Sequence, residues 1–210
     1  MRTTLRWILG LSVAVIVIGV PSAYYRSTYA HSKRLREVTP NKFYRCGQLH
    51  AAGFRDAFKR FKIGTVINLK QEAKDPLIPE DWQAKPSVYE SEVCSSSNVK
   101  YVTLDGGVLD SLDSDPNGRP AVIDDFLAII DQPEKYPPPY LIHCQAGRDR
   151  TGLMVAIYRM EYEHRSKADA IRELKANGFA TFGATDGNVY VERFILQYEP
   201  GKRRKSENRK

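Results

Sequence analysis

A chain of 210 residues, 42% hydrophobic and 27% charged, has room for one ordinary domain with flanking segments, and a core of that size needs neither metal nor disulfide to stand. Its net charge of +7 does not describe that domain: residues 1–36 hold six Lys/Arg and no acid, residues 201–210 hold six Lys/Arg against Glu207, and the stretch 37–200 is left at −4. Basicity confined to the two ends argues against a nucleic-acid-binding face and points to membrane-surface contact or solvated tails.

Arg2 and Arg6 precede an apolar run from Trp7 to Val20, followed by Pro21, Ser22 and Ala23. Charge followed by an apolar run is the order of an export signal, whereas a buried core helix would show a polar face. The small-residue cleavage site is poor, and Ala23-Tyr24-Tyr25 extends the run toward the length of a short span. Residues 1–25 are therefore read in two ways. As an uncleaved signal anchor they leave the domain on the inner membrane facing the periplasm; as a removed signal peptide they leave it soluble in the periplasm. Residues 26–41, polar and basic up to Pro40, read as a linker, with the fold over 42–200 and a basic tail over 201–210. With three cysteines one must stay unpaired; Cys46 and Cys94 are read as inert small hydrophobes, a disulfide between them being the alternative.

Within 42–200, Lys42 to Arg45 predicts a short strand, and Phe54, Phe58 and Phe61 fall at helical spacing before Gly64. Thr65 to Leu69 is β-branched and short, as a buried strand should be. Residues 71–98, rich in charge, Pro and Ser, predict no regular element. Val99 to Leu104 predicts another strand, ended by Asp105-Gly106-Gly107. After a loop carrying Asp110, Asp113 and Asp115, the stripe Val122, Ile123, Phe126, Leu127 and Ile130 predicts a helix. Pro139 to His143 predicts a buried strand that runs into Cys144, and Gly152 to Tyr158 a helix buried nearly all round. Ser166 and Asp169 have the spacing of a helix cap and Asn177-Gly178 of a stop, so 167–177 predicts a helix. A last helix is predicted over Asn188 to Tyr198. Strands alternating with helices imply an α/β domain, its mostly parallel central sheet covered by helices on both faces.

The segment His143-Cys144-Gln145-Ala146-Gly147-Arg148-Asp149-Arg150-Thr151-Gly152 joins the buried strand to the buried helix. A loop at a helix N-terminus aims backbone N–H groups, and the helix dipole, at one anion. Gln145, Ala146, Gly147, Arg148, Asp149 and Thr151 are thus the candidate anion-binding residues, and Gly147 permits the tight path. Cys144 and Arg150, five residues apart, can face the enclosed anion together, the guanidinium holding two oxygens with its planar fork. The same field favours the thiolate, which is the nucleophilic form. Attack on phosphorus would give a phosphocysteine that water hydrolyses. Thr151 is placed to donate to the departing sulfur, and His143 to brace the loop rather than act as a base. A leaving oxygen needs a proton, for which the loop 105–115 supplies Asp113 first, with Asp115 and Asp110 as rivals. Asp115 also fits a plain turn before Pro116.

These residues resemble the cysteine-phosphatase superfamily, with its His-Cys-x5-Arg-Thr/Ser loop, and within it the bacterial exported dual-specificity-type tyrosine phosphatases. The likeness runs through Phe43 to Gln48, Thr65 to Lys70, His143 to Arg159, Ser166 to Ala170, and Gly178-Phe179. It implies a cysteine-phosphatase-like fold and a hydrolase, a phosphomonoesterase that needs no metal or cofactor, with Cys144 and Arg150 in the roles above and an Asp acid from the preceding loop. Its substrates would be phosphorylated proteins, through phosphotyrosine and, in a shallow site, phosphoserine or phosphothreonine. Gly147 to Arg150 also resembles the Gly-Lys-Asp-Arg of phosphoinositide phosphatases, which keeps a phospholipid or inositol phosphate open as the alternative substrate. Loops made for inositol pyrophosphates carry more bases than Gln145 and Ala146 supply. A non-catalytic module that captures phospho-ligands is a further alternative, against which both Cys144 and Arg150 speak.

Overall fold

The computed structural model describes residues 2–25, 31–72, 88–104, 120–179 and 186–202. Five strands among them form one sheet: β1 (Arg36–Thr39), β2 (Phe43–Gly47), β3 (Thr65–Asn68), β4 (Lys100–Thr103) and β5 (Tyr140–Cys144). Their order is β1-β2-β5-β3-β4, with β1 antiparallel to β2 and every other pair parallel. Strand β5 lies at the centre, so Cys144 leaves the sheet between the ends of β2 and β3.

Alternation along the strands divides the core in two. Phe43, Ile67, Tyr140, Ile142 and Cys144 face the side covered by α5 (Ala121–Ile130), α6 (Asp149–Tyr162), α7 (Lys167–Ala176) and α8 (Asp186–Gln197). Tyr44, Cys46, Val66 and Leu141 face α3 (Ala51–Phe61) and α4 (Glu90–Ser96). On the first side Phe43 stacks on Tyr158 with centroids 4.2 Å apart and rings 9° from parallel. Burying a ring of this kind stabilises the fold by about 2–3 kcal/mol. Helix α6 is buried from Thr151 through Tyr158, as its nearly continuous apolar sequence requires. Helix α7 starts where predicted: Ser166 Oγ accepts the Asp169 N–H at 3.1 Å. In α8, Val191, Phe194 and Ile195 are buried, as is Tyr198 just beyond it.

Two expectations are corrected. The linker expected over 26–41 does not reach Lys42, because Arg36–Thr39 is an edge strand of the sheet and Val38 is buried. Exposed on one side and holding one buried apolar residue, an edge strand carries little alternation to read. The second correction is α4, inside the stretch 71–98 that predicts no element. Its seven residues are too few to show a period, and Val93 and Cys94 anchor it in the core.

At the N-terminus, α1 (Arg2–Ala14), a π-helical stretch (Val15–Gly19) and α2 (Val20–Tyr25) follow one another without a break. The 20 residues Arg6–Tyr25 are predominantly apolar and none is buried against the rest of the chain. At 1.5 Å per residue they measure about 30 Å, the thickness of a bilayer core.

Candidate active site

Strand β5 ends in the middle of a parallel sheet, and α6 begins five residues after Cys144. The intervening residues fold back beneath the end of β2. Gly147 has φ +70°, and a Cβ on it would lie 2.5 Å from the Cys46 carbonyl oxygen, so only glycine fits there. Its N–H points at Cys144 Sγ from 3.3 Å, the donor arrangement that stabilises a thiolate. Cys144 is 5% exposed. The turn delivers Arg148 to the start of α6, where its carbonyl accepts the first helical bond from the Gly152 N–H at 2.7 Å.

Of the residues singled out in the sequence, Cys144 through Thr151 run from the end of β5 into the first turn of α6. Arg150, in the first turn of α6, donates from Nη1 to the Leu69 carbonyl at 3.2 Å, which ties the guanidinium to the end of β3. Thr151 is fully buried, and its Oγ1 makes no hydrogen bond among the described residues, so the expected bond to the sulfur is not formed in this structure. Gln145 is exposed at the rim. Asp110, Asp113 and Asp115 lie outside the described residues.

His143 faces away from the thiol, as alternation demands, and enters the opposite core layer. Its Nε2 lies 2.6 Å from Glu90 Oε1, the ring meets Phe54 edge-on at 5.4 Å, and the second Glu90 oxygen accepts from Gln48 Nε2 at 2.9 Å. The bracing role expected for His143 therefore has a partner, a carboxylate on α4.

Behind the loop stand two guanidinium groups. Arg45, 2% exposed in β2, donates from Nη2 to the Gly147 carbonyl at 2.9 Å. Burial lowers its pKa to about 10, against the opposing pull of Glu173, so it remains a cation at neutral pH. Arg34 donates from Nη1 to the Ala146 carbonyl at 3.0 Å. Cys46 and Cys94 are free, buried thiols, and burial raises the pKa of each, which favours the protonated form.

Residues 27–165, two thirds of the chain, match the family model described as "Tyrosine phosphatase family". The chain belongs to the tyrosine phosphatase family. A search of curated proteins finds none that matches by sequence. Among solved structures, this tyrosine phosphatase is similar to TpbA of P. aeruginosa, at 21% identity and a TM-score of 0.56 over 80% of this chain and 86% of that one. It is similar to the core catalytic domain of the PP-IP phosphatase Siw14 of S. cerevisiae, at 19% identity and a TM-score of 0.56, again over 80% and 86%. A PTP-like phytase from Bdellovibrio bacteriovorus shares 14% identity and a TM-score of 0.56 over 79% of this chain and 81% of its own. At these identities the likeness establishes the cysteine-phosphatase fold of the protein.

Four residues of this phosphatase's site escape a reading of the sequence. Arg45 left a signal, since a charge inside an apolar strand must find a buried partner. Gln48 ends the Phe43 to Gln48 stretch of the family likeness. Glu90 and Arg34 lie in stretches read as irregular or as linker, where nothing marks them apart from other charged residues.

Proposed function

We propose that the protein is an exported, metal-independent phosphomonoesterase of the dual-specificity type, which hydrolyses phosphotyrosine, and phosphoserine or phosphothreonine as well, through a phosphocysteine intermediate. The observation that carries this reading is the 3.3 Å approach of the Gly147 N–H to Cys144 Sγ, at a loop that opens a buried helix. In the first step the Cys144 thiolate attacks phosphorus, the P–O bond to the leaving group breaks, and an acid from the loop 105–115, Asp113 foremost, protonates the departing oxygen. Arg150 and the loop N–H groups hold the equatorial oxygens, where charge gathers in the transition state. Water then attacks the phosphocysteine, giving a proton to the same carboxylate as the S–P bond breaks, which releases orthophosphate and restores both the thiolate and the acid. The N-terminal apolar helix, as anchor or as cleaved signal, directs the domain to the periplasm.

The alternative substrate is a phosphoinositide or inositol phosphate, supported by Arg148 at the start of α6, where a second phosphate would meet it. The test is hydrolysis of an aryl phosphate, a phosphotyrosine peptide and an inositol phosphate in the presence of a chelator, with Cys144→Ser as control. Loss of at least about a thousandfold in Cys144→Ser is expected. A wild-type protein that binds vanadate but turns over none of the three would favour a phospho-ligand-binding module instead.

A further inference from the structure

Three successive carbonyls of the phosphate loop are held from behind. That of Gln145 accepts the Gln48 backbone N–H at 3.2 Å, that of Ala146 accepts Arg34 Nη1 at 3.0 Å, and that of Gly147 accepts Arg45 Nη2 at 2.9 Å. A trans peptide is planar, and its C=O and N–H point in opposite directions. Each bond that draws a carbonyl outward therefore turns the N–H of the following residue inward. The groups so turned belong to Ala146, Gly147 and Arg148. For the middle one the result is visible, since the Gly147 N–H faces Cys144 Sγ.

We propose that Arg34 and Arg45 are positioning residues of the phosphate loop, fixing the peptide planes 146–147 and 147–148 so that their N–H groups converge on the anion before it arrives. The proposal rests on the phosphatase reading of the same site. Donors aimed in advance stabilise a transition state without reorganising during the reaction, which is where preorganised dipoles gain their effect.

Both arginines are built into their places. A buried cation is costly unless it is hydrogen-bonded; Arg45, whose Nη1 has no partner among the described residues, directs its Nη2 at the loop from within β2. Arg34 has φ +52°, a left-handed conformation that a residue with a side chain seldom adopts. The segment around it is held on both sides. The Gly47 N–H donates to the Lys33 carbonyl at 2.7 Å and the Leu35 N–H to the Ser32 carbonyl at 2.9 Å. Two glycines give the segment its bed: a Cβ on Gly53 would lie 2.4 Å from the His31 carbonyl oxygen, and one on Gly47 would lie 2.9 Å from Lys33 Cδ. Residues 31–35, which follow the apolar N-terminal helix closely in sequence, are thus packed against β2, α3 and the phosphate loop.

Arg34 is partly exposed and Arg45 is core, so the decisive variants are at Arg34. In the full-length protein, kcat, KM and the inhibition constant of vanadate are measured with an aryl phosphate for the wild type, Arg34→Ala, Arg34→Lys and Arg36→Ala. Arg36 is the control: it opens β1 just after that segment and donates to Asn177 Oδ1 instead of the loop. Arg34→Ala is expected to weaken vanadate and lower kcat by about tenfold each, Arg34→Lys to recover most of both, and Arg36→Ala to stay within about twofold, all at similar melting temperatures. Wild-type vanadate affinity and kcat in Arg34→Ala would overturn the proposal, and so would an equal loss in Arg36→Ala, which would mark a general effect of charge. A wild-type protein that neither binds vanadate nor hydrolyses the ester would defeat the phosphatase reading itself.

Discussion

Glu90 Oε1 lies 2.6 Å from His143 Nε2, and both side chains are almost wholly shut off from water, at 2% and 0% exposure. The pair joins α4 to the residue before Cys144, so the strand end that carries Cys144 is fixed from the opposite face of the sheet. Gln48 completes the arrangement on the second carboxylate oxygen.

Removing that carboxylate should cost more than neutralising it. Glu90→Ala leaves the ring and the Gln48 amide without partners in a dry site, and a loss of about 3–5 kcal/mol is expected. Glu90→Gln keeps the shape and an acceptor, and should cost about 1–2 kcal/mol. Urea unfolding of both variants checks the order, and equal costs would show that the carboxylate's hydrogen bonds carry little weight.

Gly147→Ala should inactivate the enzyme, because it meets a positive φ and a carbonyl 2.5 Å from the new Cβ at once. Strain of this kind costs about 1–3 kcal/mol, and the loop can relieve it only by moving its N–H groups. Gly201→Ala has φ +80° but open space around it, so it isolates the backbone penalty. Activity and melting temperature of the two are compared; retention of activity in Gly147→Ala would refute the close packing of the loop on β2.

Glu163 predicts an acid-sensitive contribution to stability. Burial alone would raise its pKa, but hydrogen bonds from Thr39 and Arg159 and the charges of Arg159 and Arg165 outweigh burial and hold it below 4.5. A carboxylate whose pKa is lower in the folded state adds stability that is complete above the unfolded value and is lost as pH falls through the folded one. Glu163→Gln should therefore melt below the wild type at neutral pH, and the gap should close below about pH 4.5. A gap that persisted unchanged in acid would show that packing, not charge, is responsible.

The general acid is assigned by kinetics. Among Asp110→Ala, Asp113→Ala and Asp115→Ala, the true acid alone should lose the falling, high-pH limb of the rate profile, with a drop in kcat of about 10²–10⁴-fold. Asp113 is the expected one. A normal profile for Asp113→Ala would pass the role to whichever neighbour lacks the limb.

The elements that the sequence predicts well are those whose information is local. Thr65–Asn68 and Tyr140–Cys144 are short apolar runs that the structure places within a residue of the predicted bounds, while α6 extends the predicted Gly152–Tyr158 to Asp149–Tyr162. β1 and α4 escaped because each has too few inward-facing residues to form a pattern. Their existence is decided by what the sheet and α3 offer them.

The ten contiguous residues His143 to Gly152 determined by themselves that a cysteine and an arginine would share one loop at a helix N-terminus, because strand, turn and helix signals follow one another along a single stretch of chain. Only the tertiary structure decided what holds that loop in shape: Arg34, Arg45 and Glu90 reach it from 112, 102 and 53 positions away in sequence. A hydrogen bond has no signature in the sequence when its partners are brought together by packing elsewhere, and the back of this loop is held by such bonds.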